Sequence, residues 1–126
     1  MKIAFDPIYA HPLPEGHRFP MVKYELIPAQ LLHEGTIHPQ DIFAPQPCPD
    51  EVILLTHDER YLDKLKNQTL SEREQRHIGF PQSPDLTLRE LIITQGTIDC
   101  CRYAMKEGVA LNVAGGTHHA FADRGE

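Results

Sequence analysis

The chain has no tryptophan, only three cysteines, and no apolar run near the ~18 residues that a membrane-spanning helix needs. The cysteines are Cys48 and the neighbours Cys100 and Cys101, without a Cys-x-x-Cys pair. An odd count with this spacing argues against a disulfide framework and favours reduced thiols packed as small apolar groups. No signal-peptide pattern precedes the first apolar residues. These absences predict a cytoplasmic protein that does not enter a membrane.

Clusters of basic residues are also missing, although the chain carries twelve Lys and Arg residues and a net charge of −6. A duplex-binding surface needs a basic patch that displaces counterions from the phosphates. The charge pattern therefore argues against a nucleic-acid partner. The eight histidines form no His-x-His, His-Glu-x-x-His or Asp-x-His pair, so a zinc site built only from this chain is disfavoured. Five of them could still meet near one edge of the fold: His11, His17, His57, His118 and His119.

Apolar runs alternate with helical patterns along the chain. Three apolar runs predict strands at residues 2–5, 51–56 and 109–114. Helical spacing predicts helices at residues 20–35, 58–65, 71–77 and 83–107, the first kinked or split by Pro28. Strands that are apolar throughout and separated by helices are typical of parallel sheets buried on both faces. We therefore predict one α/β domain with three layers, in which helices flank a parallel sheet.

Polar residues follow each of the three predicted strands. Directly after a predicted strand come Asp6 and His57. The pair His118–His119 follows the third predicted strand after a short link. Parallel sheets bind ligands at the carboxyl ends of their strands, so these residues are expected near one edge. Gly115 and Gly116 would let both rings of the pair turn towards one cavity and would leave room for a substrate. Adjacent imidazoles suit proton transfer near neutral pH, although ordinary loop histidines remain an alternative at this point.

The segment "AGGTHHAFADRGE" resembles the active-site segment of zinc-dependent histone deacetylases and their bacterial relatives, the acetoin-utilisation and acetylpolyamine amidohydrolases. The Asp-Arg-Gly run is most similar to the class IV branch. Three more segments resemble the family in the same order: "HPLPEGHRFPMVKY", "THDERYLDKL" and "IGFPQSPDLTLRELIITQGTIDCCRYAM". The resemblance extends over essentially the whole chain and implies the arginase/deacetylase fold.

The resemblance also implies roles for individual residues. His118 and His119 become the catalytic pair, with His119 as the general base on a water and His118 supporting the oxyanion or shuttling a proton. Gly116 would lie beside the substrate. Arg18 lies where many members place an arginine beside the channel that vents acetate.

The zinc that the resemblance implies would be held elsewhere in the family domain. Family members bind zinc through two Asp and one His and complete the oxyanion site with a Tyr, all downstream of the paired histidines. Those motifs do not occur in this sequence. We therefore expect residues 1–126 to be the N-terminal portion of a single deacetylase domain, ending before the metal-binding motif. No metal ligand is assigned within the chain, and zinc is the cofactor of the longer parent.

The expected parent is a zinc-dependent amide hydrolase that acts on acetyl-lysine or an acetylated small amine. The alternative is a non-catalytic binding or assembly module derived from the same fold. Half of a parallel sheet would expose a strand edge, and exposed edges pair with other chains. An oligomer formed through that edge is therefore expected.

We predict that the purified chain, supplied with zinc, does not hydrolyse an acetyl-lysine peptide. The reason is that the proton-transfer residues are present whereas the metal ligands of the family are not. Acetate release and the zinc content after dialysis would measure this. Turnover above that of free zinc would contradict the prediction.

Overall fold

The computed structural model describes residues 1–116 and 118–126. Its sheet has three parallel strands, β1 (Lys2–Ala4), β2 (Ile42–Phe43) and β3 (Ala110–Asn112). Strand β1 lies in the centre, between β2 and β3, and Ile3 is paired with Ile42 on one side and Leu111 on the other. The predicted α/β class with a parallel sheet is confirmed.

Five α-helices accompany the sheet in the described residues: α1 (Lys23–His33), α2 (Asp50–Ile53), α3 (Glu59–Asn67), α4 (Glu72–Ile78) and α5 (Pro84–Glu107). Two 3₁₀ turns lie at Pro7–Tyr9 and Pro39–Asp41. None of these helices is long and apolar enough to cross a membrane.

Local sequence signals account for most helix ends. The Ser83 hydroxyl accepts a hydrogen bond from the Leu86 amide at 3.0 Å, and the Asp58 carboxylate accepts one from the Arg60 amide at 2.8 Å. These are the N-cap interactions that satisfy amides lacking a partner in the first helical turn. At the other end of α5, Gly108 takes φ +89°, which favours glycine. Helix α1 continues through Pro28, so the helix is not split there, and the alternative of a kink stays a prediction.

The predicted strand at residues 51–56 is wrong. The segment forms α2 followed by a turn, and Leu55 in that turn is 80% exposed. Asp50 and Glu51 occupy the first helical turn, where carboxylates are stabilised by the helix dipole. A short apolar run cannot be assigned by periodicity alone, and here the helix start is the stronger signal. The additional strand is β2, which was not among the three predicted strands.

Helix α5 packs against β1, β3 and α3, and so organises the core. At Gly96 the helix lies close to its neighbours, because an added Cβ would lie 2.8 Å from the Tyr9 hydroxyl and 3.0 Å from Asn112 Nδ2. Close contact of this kind leaves no room for a side chain. The predicted burial of the strands on both faces is found for β1, where Ile3 and Ala4 have no exposed surface. It does not hold for β3, where Leu111 is 45% exposed.

A buried arginine joins α5 to the loop that follows β1. Arg89 is 1% exposed, and its Nε donates to the Tyr9 carbonyl at 2.8 Å. Its guanidinium also contacts the carboxylate of Glu90 and lies 5.2 Å from the centre of the Tyr24 ring. Burying a charge requires such partners, because an unpaired charge in the interior is strongly unfavourable.

The three cysteines are free thiols, in agreement with the expectation from sequence. Cys48 and Cys100 are buried, and burial raises the pKa of both thiols. Cys101 is exposed on α5.

Helix α4 begins with a pair of reciprocal bonds between Ser71 and Glu74. The Glu74 carboxylate accepts from the Ser71 amide at 2.8 Å and also from Lys64 Nζ at 2.8 Å. The hydrogen bonds from Lys64 and Ser71 lower the pKa of Glu74 from 4.5 to about 2. A carboxyl whose pKa is lower in the folded state stabilises the fold above its ordinary pKa, and this stabilisation disappears as the pH falls towards the folded value.

We predict that Glu74→Gln lowers the free energy of unfolding near pH 7 by roughly 1 kcal/mol, the upper range for partly exposed ion pairs. The difference from the unsubstituted chain should shrink as the pH falls from about 4.5 towards 2, since the carboxylate is then protonated in both states. Urea unfolding at several pH values measures this. The matched control is Glu72→Gln, because Glu72 is 93% exposed and lies 3.7 Å from Arg76. A pH-independent difference for Glu74→Gln would contradict the prediction.

Candidate active site

A cavity of about 440 Å³ opens between α3, α4, α5 and the segment that follows β3. Its walls are mostly apolar and include Leu62, Ile78, Phe80, Ile93 and Ile98. Small-molecule sites have volumes of about 300–1,000 Å³ and a similar apolar lining with a few polar groups. The cavity therefore has the size and character of a ligand site.

The segment after β3 brings the paired histidines to this cavity. The Asn112 side chain fixes the end of the strand, since its Nδ2 donates to the Ile93 carbonyl at 2.8 Å and its Oδ1 accepts from the Ala114 amide at 3.3 Å. Gly116, His118 and His119 then all line the cavity. An added Cβ at Gly116 would meet nothing within 4 Å, so this residue faces open space.

The His118 imidazole is half-buried and in contact with two neighbours from one short segment. Its Nε2 bonds to the Ile78 carbonyl oxygen, and its ring meets the Phe80 ring edge-to-face, with centroids 5.2 Å apart and planes at 89°. A carbonyl oxygen only accepts hydrogen bonds, so Nε2 of His118 carries the hydrogen in this contact. The backbone of Ile78 therefore places a hydrogen on Nε2 of His118.

His119 lies beside it with an exposed side chain and a paired backbone. Its carbonyl accepts from the Glu126 amide at 3.0 Å, and Ala120 forms an antiparallel bridge with Gly125. The Ala122 carbonyl accepts from the Asp58 amide at 2.7 Å, which joins this turn to the start of α3. The backbone around His119 is thus held on both sides while its ring stays open to solvent.

Two polar residues of the 57–61 segment also line the cavity. His57 was expected after a strand and instead follows the turn after α2, yet it reaches the same cavity. Its Nδ1 is buried without a hydrogen-bond partner among the described residues. The Tyr61 ring lies 6.1 Å from it, and burial, with smaller contributions from Glu74 and Glu90, raises the pKa of Tyr61.

Tyr61 and Glu90 are cavity residues that sequence reasoning missed. Tyr61 stands only within the segment "THDERYLDKL" that resembles the family, where it was given no role. The four-residue spacing between His57 and Tyr61 was the available signal, because residues four apart can lie on the same side of a helical segment.

The other sequence candidates lie away from the cavity lining. Asp6 caps a 3₁₀ turn through the Ile8 amide at 2.9 Å, and His17 Nε2 bonds to the Gly79 carbonyl at 3.0 Å. His11 is buried, and desolvation together with the charge of Arg89 lowers its pKa. Arg18 is exposed and does not line the cavity, so its suggested role at an acetate channel stays a prediction.

The described residues do not fit the zinc ion that the family resemblance implies. Within residues 1–116 and 118–126, no three His, Cys, Asp or Glu side chains lie close enough together to hold a metal ion. A zinc site needs three or four such ligands in a defined geometry.

Comparison with known proteins defines the class. The model of the histone deacetylase domain family matches residues 17–126, so the chain belongs to this family. It is 41% identical over 124 residues to an uncharacterized protein of Picosynechococcus sp., covering 98% of this chain and 41% of that protein. It is 26% identical over 115 residues to Histone deacetylase 2 of Arabidopsis thaliana, covering 86% of this chain and 30% of that protein.

Solved structures of bacterial and related deacetylase homologues share the fold. An HDAC homologue crystallised in complex with SAHA superposes with a TM-score of 0.77 at 24% identity. The HDAC homologue of Aquifex aeolicus superposes with a TM-score of 0.73 at 22% identity. Each comparison covers 98% of this chain and 36% of the solved chain. The sequence thus spans between 30% and 41% of the length of these relatives.

Proposed function

We propose that the chain forms the proton-transfer part of a deacetylase active site that hydrolyses an acetyl-amide of lysine or of a small amine. The observation that carries this proposal is the placement of two adjacent imidazoles, His118 and His119, at one apolar cavity. Membership of the histone deacetylase domain family supports the reaction type. Neutral pH lies close to the ordinary imidazole pKa, where a side chain can both accept and donate protons effectively.

The two rings differ in surroundings, and this difference supports separate roles. His118 already uses its Nε2 hydrogen on the Ile78 carbonyl, whereas the His119 side chain is exposed at the cavity. His119 therefore acts as the general base that removes a proton from water. His118 supports the negative charge that develops on the substrate oxygen and helps to return a proton.

The reaction follows from these roles. The water oxygen adds to the amide carbonyl carbon while His119 takes the proton. The C–N bond then breaks, and the amine nitrogen leaves with a proton delivered by the histidine pair. The products are a carboxylate and an amine. General acid–base catalysis of this kind typically contributes a factor of about 10²–10⁴ in rate.

The cavity wall suits the non-reacting part of such a substrate. Ile78, Phe80 and Leu62 offer apolar surface for an aliphatic side chain, and Gly116 leaves space beside the paired histidines. Apolar walls also exclude water, which strengthens electrostatic interactions with the reacting groups. We infer that the zinc implied by the family would be held by residues that are not among those of this sequence.

We predict that His119→Ala abolishes turnover without removing zinc. A suitable protein is a chimera in which this chain replaces the matching 124 residues of the Picosynechococcus relative, because 41% identity favours a compatible fold. The expected loss in kcat is at least about 10²-fold, since the general base is removed. Acetate release from an acetyl-lysine peptide and metal analysis measure the two quantities.

His33→Ala is the matched control, because His33 lies in the last turn of α1 and does not line the cavity. It should retain full activity. Loss of zinc in His119→Ala would contradict the proposed role of that ring. A folded, zinc-loaded chimera with an intact histidine pair and no turnover would instead favour the non-catalytic module.

We also propose that the chain alone associates through β3. This strand lies at the edge of the sheet, and Leu111 on it is 45% exposed. An open edge strand presents unpaired backbone groups to a second chain.

We predict that Leu111→Lys reduces this association, because a charged residue on an edge strand disfavours pairing. Light scattering across micromolar concentrations should show a higher mass for the unsubstituted chain than for the variant. Met105→Lys is the control, since Met105 is 88% exposed and lies on α5 instead of on an edge strand. A monomeric unsubstituted chain at every concentration would rule out the proposal.

A further inference from the structure

The structure assigns Phe80 as a positioning residue for the imidazole of His118. This inference depends on the proposed function, because it explains how one ring of the catalytic pair is held in a single orientation. Phe80 does not contact the reacting atoms in this mechanism. It acts through the ring that it touches.

The Phe80 side chain contacts the segment before α1, at His17 and Phe19, and also His118 of the histidine pair. It lies in the loop between α4 and α5 and is 5% exposed. Its ring meets His118 edge-to-face at 5.2 Å and Phe19 edge-to-face at 5.3 Å, with planes at 89° and 82°. The His17 ring lies 5.6 Å from it on a tilted plane. One buried ring therefore contacts three others that come from two distant parts of the chain.

The backbone beside Phe80 also connects His17 with His118. The carbonyl of Ile78 bonds to His118 Nε2, and the next carbonyl, of Gly79, bonds to His17 Nε2 at 3.0 Å. Gly79 takes φ +79°, a conformation that favours glycine, and it ends α4 at this point. Consecutive carbonyls of one turn thus bond to two imidazoles, and the Phe80 ring packs against both.

Two contacts on different parts of one ring restrict it more than either contact does alone. The bond to Ile78 holds Nε2, whereas the perpendicular packing on Phe80 limits the tilt of the ring plane. Aromatic rings prefer such edge-to-face geometry at centroid separations of about 4.5–7 Å. A flipped His118 ring would lose the Ile78 bond and place a carbon at the carbonyl. Phe80 consequently favours the tautomer with hydrogen on Nε2.

This tautomer matters for the division of work between the two histidines. With the Nε2 hydrogen bonded to the Ile78 carbonyl, the His118 ring is held in one orientation, and the exposed His119 is left as the proton acceptor towards water. Loss of the Phe80 ring would let His118 exchange between tautomers and orientations. The His118 ring would then no longer keep a single orientation beside His119.

The test uses the complete 126-residue chain labelled with ¹⁵N-histidine. At about pH 8, above the ordinary imidazole pKa, the two ring-nitrogen shifts are far apart for a single tautomer and approach each other when tautomers exchange. We expect a wide separation for His118, a loss of that separation in Phe80→Leu, and its recovery in Phe80→Tyr, which keeps the ring. Phe43→Leu is the matched control, because Phe43 packs on Tyr103 at 5.0 Å, outside the cavity lining.

Two results would overturn the inference. One is a folded Phe80→Leu in which the His118 shifts are unchanged. The other is a change of similar size at His33 and His38, which would show a general loss of structure. If Phe80→Leu does not fold, contacts between the Phe80 and His118 ring protons in the unsubstituted chain decide the question, and their absence overturns it. These readouts need no turnover, so an inactive chimera would reject the proposed function and leave this result standing.

Discussion

The packing of α5 across β1 and β3 is the interaction on which the rest of the structure depends. It requires a glycine at position 96, because the Tyr9 hydroxyl and the Asn112 side chain occupy the space of a Cβ. The same helix places Ile93 so that its carbonyl accepts from Asn112, which directs the chain as it leaves β3. The paired histidines follow six residues later, and α5 also supplies one wall of their cavity. Helix packing and site geometry are therefore parts of one arrangement.

Signals that act within a few residues made much of the fold predictable. The caps at Ser83 and Asp58 and the glycine at 108 mark helix ends through local hydrogen bonds and backbone conformation. Strand β2 could not be found in this way, since two residues carry no periodicity and their strand character comes from pairing with β1. The apolar run at 51–56 shows the opposite error, because hydrophobicity alone does not separate a strand from a short helix.

Local sequence signals likewise predicted only part of the candidate site. The glycine-histidine motif could be located from sequence and through family resemblance, and the structure places those side chains at one cavity. The spacing of His57 and Tyr61 gave a local signal for Tyr61, whereas Glu90 was not predictable, because it joins the cavity only after α3 and α5 have packed together. The bond from His118 to Ile78 joins residues forty positions apart, and no local pattern encodes it.

The turn at residues 119–126 is built largely from backbone hydrogen bonds, between Glu126 and His119, Phe121 and Arg124, and Asp58 and Ala122. Bonds of this kind do not depend on which side chains are present. Exposed positions such as Ala122 can thus be substituted without moving the neighbouring imidazole. Gly125 is the exception, because an added Cβ there would come within 3.3 Å of the Tyr61 hydroxyl. Surface chemistry beside the cavity can therefore change while the backbone that holds His119 stays the same.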